Sequence, residues 1–169
     1  MDDVSTLREL IPASARELSK GFYTPNQTES AIKYIFGLDS QLIIDKTYFV
    51  AEADGQIVGC GGWSKRKTMF GGDQMKAEAD LLLDPNKDAG RIRAFFIHPN
   101  WSRKGIGRRI IQACEAAARA DGFTRMELVA TIPGEPSYAA MGYGVTERFD
   151  IPRADGTALP GAHMKKELK

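Results

Sequence analysis

Residues 93–122 read "RAFFIHPNWSRKGIGRRIIQACEAAARADG". The apolar run Ala94 to Ile97 gives way to a turn holding Gly105 and Gly107 among Arg103, Lys104, Arg108 and Arg109. A long amphipathic pattern follows at once. An apolar run without alternation predicts a strand over 91–97 that is buried on both faces and therefore central. The pattern from Lys104 to Asp121 predicts a helix, with Ile106, Ile110, Ile111, Cys114, Ala117 and Ala118 inward. Arg108, Gln112, Glu115 and Arg119 fall on the outer face. Gly122 is placed to cap its C-terminus. A helix N-terminus leaves several N–H groups unpaired and carries about half a positive charge. Glycines let a backbone approach an anion closely. Together with the four basic side chains this makes a cradle suited to a pyrophosphate. The P-loop pattern G-x-x-x-x-G-K-[ST] is absent, and a dinucleotide fingerprint would need a third glycine. Taken alone, the two glycines read equally well as a surface turn with solvated arginines.

Upstream, residues 3–20 predict a helix interrupted at Pro12, with Ser14 and Glu17 as a capping box for its second piece. Thr24-Pro25-Asn26-Gln27 predicts another start, Thr24 as cap and Gln27 reaching back. That helix turns Ala31, Ile32, Ile35 and Phe36 inward and ends at Gly37. Residues 39–45 fit a helical turn or a strand. In "TYFVAEADGQIVGCGGWSK", Asp54-Gly55 marks a two-residue hairpin. Gly59, Gly61 and Gly62 in its second strand point to a bulge or a close backbone approach to a ligand. Residues 65–89 form a long excursion of the functional or mobile kind. Downstream come a strand over 124–130, a short helix in "GEPSYAAMGY" and two closing strands near 145–150 and 162–168. The sum is a mixed α/β domain with helices packed on one sheet.

The bulk numbers narrow the choice. A chain of 169 residues, 43% hydrophobic, can bury one core. With 23 basic and 22 acidic residues, it has no bulk attraction to nucleic acid or membrane. It shows no membrane-length apolar run and opens without a signal peptide. The distant Cys60 and Cys114 suit a reduced, cytoplasmic protein and small buried roles. The scattered Asp, Glu and His residues have no metal-ligand spacing, so no metal is expected.

The order strand, Ile97-His98-Pro99, aromatic, basic residue, G-x-G, helix resembles the acyl-CoA-binding motif of the GNAT superfamily of N-acyltransferases. The family loop runs [QR]-x-x-G-x-[GA]. Here it is Ser102-Arg103-Lys104-Gly105-Ile106-Gly107, with Ser102 where Gln or Arg is usual. The order of elements matches over nearly the whole chain, except that the family's first strand is missing or very short. The resemblance implies one GNAT-like domain over residues 1–169, with a mixed sheet of about six strands flanked by helices. It implies that parallel strands 91–97 and 124–130 splay to admit acetyl-CoA as cosubstrate. The backbone of Phe95, Phe96 and Ile97 would pair with the pantetheine amides. The N–H groups of Arg103, Lys104, Gly105, Ile106, Gly107 and Arg108 would hold the pyrophosphate. The side chains of Phe95 and Phe96 belong to the core.

The resemblance further implies acetyl transfer to an amine, on a small molecule or on a peptide, by direct attack in a ternary complex. Tyr138, four residues before Gly142-Tyr143, takes the role of acid to the leaving thiolate. The base is left open between Glu52, His98 and a water chain. An acceptor role for Trp63, Phe70 or Asp73 is a further reading of the excursion. Homodimers are common in the family. The alternatives are a non-catalytic acyl-CoA sensor and an unrelated phosphate-binding α/β protein.

Overall fold

The computed structural model describes residues 2–75, 80–153 and 155–169. Residues 76–79 of the long excursion lie outside them. Helices α1 (Asp2–Leu18), α2 (Pro25–Tyr34) and α3 (Ser40–Ile44) precede the hairpin β1 (Tyr48–Ala53) and β2 (Gln56–Ser64). Then follow β3 (Gly90–Ile97), α4 (Ile106–Ala120), β4 (Arg125–Thr131), α5 (Glu135–Ala140), β5 (Gly144–Pro152) and β6 (Ala158–Glu167). The described strands make a six-stranded mixed sheet in the order β1-β2-β3-β4-β6-β5. Only the β3–β4 pair is parallel.

Alternation along the strands sorts the core onto two faces. Met126, Leu128 and Ala130 of β4 pack with Ile110, Ile111, Cys114 and Ala118 of α4. Val129 packs with Ala31 and Ile35 on the α2 side, and Cys60 with Leu7, Leu10 and Ile11 of α1. One face of the sheet therefore carries α4 and α5, the other α1 and α2.

The local signals for α2 and α4 hold. Thr24 Oγ1 accepts from Gln27 N at 3.1 Å while Gln27 Oε1 accepts from Thr24 N at 2.9 Å, a complete capping box. Gly122 takes φ +92° and its N–H bonds Arg119 O at 2.9 Å, ending α4. Asp54 and Gly55, with φ 51° and 75°, make the hairpin turn. Residues 39–45 resolve as α3, with the Asp39 side chain accepting from Gln41 N.

Two expectations fail, and a third holds in its first alternative only. Pro12 does not interrupt α1, which is continuous, and Ser14 is buried rather than capping. The unbroken apolar stripe Leu7, Leu10, Ile11 and Ala15 holds the helix against the sheet and outweighs one lost N–H bond. Glu115 is not on an outer face. It is 5% exposed, bonded by Lys166 Nζ at 2.8 Å and Tyr143 OH at 3.1 Å. The glycines of β2 do accompany a register shift, but what approaches them is protein. A Cβ at Gly61 would collide with the Phe95 ring, and one at Gly62 would lie 2.6 Å from Thr47 O.

The start of the excursion is pinned to the α1/α2 face. Arg66 grips Asp45 with two bonds of 2.6 and 2.8 Å. Arg93, paired with Asp39 at 2.8 Å in a site where both side chains are 1% exposed, donates to Thr68 O and Gly71 O. The N–H groups of Gly72 and Asp73 bond Ile35 O and Leu38 O.

Candidate active site

β3 and β4 are hydrogen-bonded only at their start, at Gly90↔Met126 and Arg91↔Glu127. Beyond that rung β3 stays paired to β2 as far as Ile97↔Gly59, and β4 to β6 as far as Thr131↔Gly161. The two inner strands thus diverge, and their facing edges are left open. Two features accompany the divergence. Ala94 sits at φ 50°, a left-handed conformation that costs a non-glycine residue about 1–2 kcal/mol. It is the bulge that turns β3 away, and its carbonyl is held by the Tyr48 hydroxyl at 2.9 Å. On the α4 face, the Phe95 and Tyr138 rings meet edge to face with centroids 6.0 Å apart, and Tyr138 in turn contacts Tyr143 at 6.2 Å.

At the mouth of the V lies the N-terminus of α4. Gly105 is its N-cap, in the left-handed region at φ 81°. Among the described residues no protein group accepts from the N–H groups of Arg103, Lys104, Gly105, Ile106, Gly107 or Arg108. A Cβ built at Gly105 meets nothing within 4 Å. Arg103, Lys104, Arg108 and Arg109 are exposed around this opening, and Lys104 Nζ lies 5.0 Å from the centre of the Trp101 ring. The cradle is open, cationic and lined by backbone donors, so the residues present fit a diphosphate.

Phe95 and Ile97 pack their side chains into the α4 cluster, and Phe96 packs on Phe36 with centroids 5.9 Å apart. Their side chains are core, and their backbone edge faces the gap. Tyr138 stands half-buried on α5, beside that gap. Burial, with Cys114 nearby, pushes its phenol up from the ordinary 10.0. Cys60 and Cys114 are buried free thiols, pushed by burial up to about 11 and about 12, which leaves neither a ready thiolate.

Of the base candidates, Glu52 is exposed on the β1 hairpin. His98 caps the turn Pro99–Trp101, its Nδ1 accepting from Asn100 N at 3.1 Å. Trp63, 1% exposed, meets Phe123 edge to face in the core, and Asp73 binds the backbone and hydroxyl of Ser40. Neither is placed to meet an acceptor. Phe70 is different. With Met69, Val129, Glu147, Phe149 and His163 it lines a cavity of about 260 Å³ on the α1/α2 face.

Sequence reasoning missed a polar cluster beside this cavity. Glu127, 7% exposed, receives Arg91 Nη2 at 3.0 Å and His163 Nε2 at 2.9 Å. Thr146 Oγ1 lies 3.1 Å from His163 Nδ1 and 3.2 Å from His163 O. The visible signal was a carboxylate inside the otherwise apolar strand "MELVA". Its imidazole partner stands 36 residues further along the chain, so nothing local ties Glu127 to His163. Among the described residues no cluster of three or more His, Cys, Asp or Glu is placed to hold a metal ion, and no helix is long and apolar enough to cross a membrane.

The model of the acetyltransferase (GNAT) family matches residues 13–143. No curated protein matches the sequence. Solved structures share the fold. A GCN5-related N-acetyltransferase from Rhodopseudomonas palustris superposes with a TM-score of 0.72 at 20% identity, over 99% of this chain and 91% of that one. The PaiA N-acetyltransferase of Thermoplasma acidophilum, in complex with coenzyme A, gives 0.64 at 17% identity, over 99% and 94%. YncA from Salmonella typhimurium, with its cofactor acetyl-CoA, gives 0.63 at 14% identity, over 99% and 90%.

Proposed function

We propose, for a chain that belongs to the acetyltransferase (GNAT) family, that it moves an acetyl group from acetyl-CoA to a primary amine on a small molecule. The observation that carries this is the set of unbonded N–H groups at the head of α4, opening beside the parted edges of β3 and β4. Bound there, acetyl-CoA supplies an activated thioester. Arg103 to Arg108 hold its diphosphate through main-chain N–H groups, and the arginine side chains meet further phosphate charge. The free edge of Phe95, Phe96 and Ile97 orients the pantetheine arm as an added strand would. A main-chain N–H of β3 steadies negative charge on the carbonyl oxygen. Tyr138, a phenol on α5 beside the gap, donates to the departing sulfur. The whole chain works as one acyltransferase domain, and its two buried thiols suit a reducing compartment such as the cytoplasm.

The test is release of free CoA thiol from acetyl-CoA across a panel of alkyl and arylalkyl amines, polyamines and short peptides. Turnover on a small amine is expected. Tight acetyl-CoA binding with no release on any amine would make the chain a sensor instead. Stabilisation by ATP or NAD but not by acetyl-CoA in a thermal melt would remove the cosubstrate.

A further inference from the structure

The cavity of about 260 Å³ and the Glu127–His163 pair are neighbours on one face of the sheet. Glu127 stands on the last paired rung of β3 and β4. Val129, the next residue of β4 on that face, lies where the strands have already parted, and it lines the cavity. The cavity thus abuts the gap from the side opposite α4. His163 is the cross-strand partner of both Val129 and Glu147, which places its imidazole in the cavity wall. Building on the acetyltransferase reading, we infer that this cavity is the acceptor site and that His163, oriented by Glu127, is the general base that takes the proton from the acceptor ammonium.

The chemistry of the walls selects the acceptor. Met69, Phe70, Val129 and Phe149 offer apolar surface, and Glu147 alone offers a carboxylate. The site, of about 260 Å³, is open to solvent on one side and has room for a small body against its apolar wall. The occupant is a small primary ammonium on a largely apolar body, of the arylalkyl or branched alkyl kind. A long polycation finds only one carboxylate, Glu147, in this lining for its several charges.

An alkyl ammonium with a pKa near ~10.4 must lose a proton before its lone pair can attack. Imidazole is the side chain whose ordinary pKa suits that task at neutral pH. The orientation is fixed from both ends. Glu127, itself held by Arg91 and approached by Lys165 Nζ at 3.9 Å, accepts from Nε2–H, so the lone pair of the neutral ring is on Nδ1. The Thr146 hydroxyl can serve either protonation state. It donates to Nδ1 when the ring is neutral, and accepts from Nδ1–H while donating to His163 O when the ring is charged. In the step itself the ammonium N–H bond breaks and its electron pair becomes the nucleophile. The proton goes to Nδ1, directly or by way of Thr146, and Thr146 is exposed, so the ring returns it to solvent. The charged groups facing the imidazole are Glu127, with Arg91 and Lys165 behind it, and Glu147 across the β5–β6 rung.

The experiment follows CoA release with 2-phenylethylamine and with spermidine as a function of pH, alongside calorimetric titration of acetyl-CoA. For the wild type, kcat/KM for 2-phenylethylamine exceeds that for spermidine and shows an acid limb. His163→Gln is expected to lower kcat about 100-fold and to erase that limb, with acetyl-CoA affinity unchanged. Glu147→Gln, a change at an exposed strand position, raises KM for 2-phenylethylamine and keeps the limb. Val129→Phe fills the cavity and excludes the amine while acetyl-CoA still binds. His163→Gln with wild-type kcat and an intact acid limb would overturn the assignment of the base. Val129→Phe and Glu147→Gln with unaltered amine KM would overturn the cavity as acceptor site, as would a preference for spermidine. A wild type that binds acetyl-CoA but releases no thiol with any amine removes the acetyltransferase reading, and this inference with it.

Discussion

The two faces of the sheet are built by different means. On the α4 face the cradle is made of backbone: N–H groups at one helix start, a strand edge, and two glycines, all within residues 93–109. On the α1/α2 face the cavity is made of side chains drawn from the excursion, β4, β5 and β6, which lie far apart in the chain. A backbone site tolerates exchange of side chains, because its donors are the same in every residue. A side-chain site changes chemistry with each substitution. The first face is suited to a constant cosubstrate, the second to a particular acceptor.

That contrast can be broken most forcefully at Gly105. Gly105→Glu sets a carboxylate against the diphosphate, and like charges in close contact cost several kcal/mol. Acetyl-CoA affinity is expected to fall about 1000-fold by calorimetric titration. Gly105→Ala is the control. It meets only the strain of φ 81°, since open space surrounds its Cβ, and should keep most of the affinity. Equal losses in both variants would mean that conformation, not an anion site, sets the binding.

A smaller effect is expected at the boundary between the faces. Tyr138→Phe preserves the ring contacts with Phe95 and Tyr143 and removes one hydroxyl. Acetyl-CoA binding should be unchanged while kcat falls about 100-fold. Unchanged turnover would take Tyr138 out of the reaction and leave it a packing residue.

The same contrast explains what could be read from the sequence. Strand, turn and helix over 91–121 are contiguous, so periodicity, Gly105, Gly107 and Gly122 report them directly. The parting of β3 and β4 is not local. It depends on Ala94 in a left-handed conformation and on Tyr48 reaching its carbonyl from β1, and neither residue type announces that. Glu115 shows the limit of helical patterning. A period of 3.6 puts it outward, yet Lys166 of β6 and Tyr143 meet it there and bury it. His163 carried no motif, because its partners Glu127 and Thr146 belong to neighbouring strands whose pairing only the fold supplies.

The mildest test concerns how the side-chain face is held together. The excursion that brings Met69 and Phe70 to the cavity hangs on Arg66 and Asp45, joined by two bonds. The Arg66 guanidinium, helped by Gln41, keeps the Asp45 carboxyl below its ordinary 3.8. A depressed acid contributes its stability above its unfolded pKa and loses it as pH falls through the folded value. Loosening should therefore begin only below about pH 4 and reach the α1/α2 face, not the α4 cradle. The N–H groups of Lys67, Gly72 and Asp73, bonded to Leu81 O, Ile35 O and Leu38 O, are the reporters. In Asp45→Asn their hydrogen exchange should be faster than in the wild type at pH 6. The two proteins should converge as pH falls through the folded value, where the wild-type carboxyl becomes protonated. Because each comparison is made at one pH, the intrinsic exchange rate and the titration of exposed pairs such as Arg16–Glu29 cancel. A difference that persists undiminished at low pH would show that the amide perturbs packing rather than charge, and that the clamp on the cavity does not depend on ionisation.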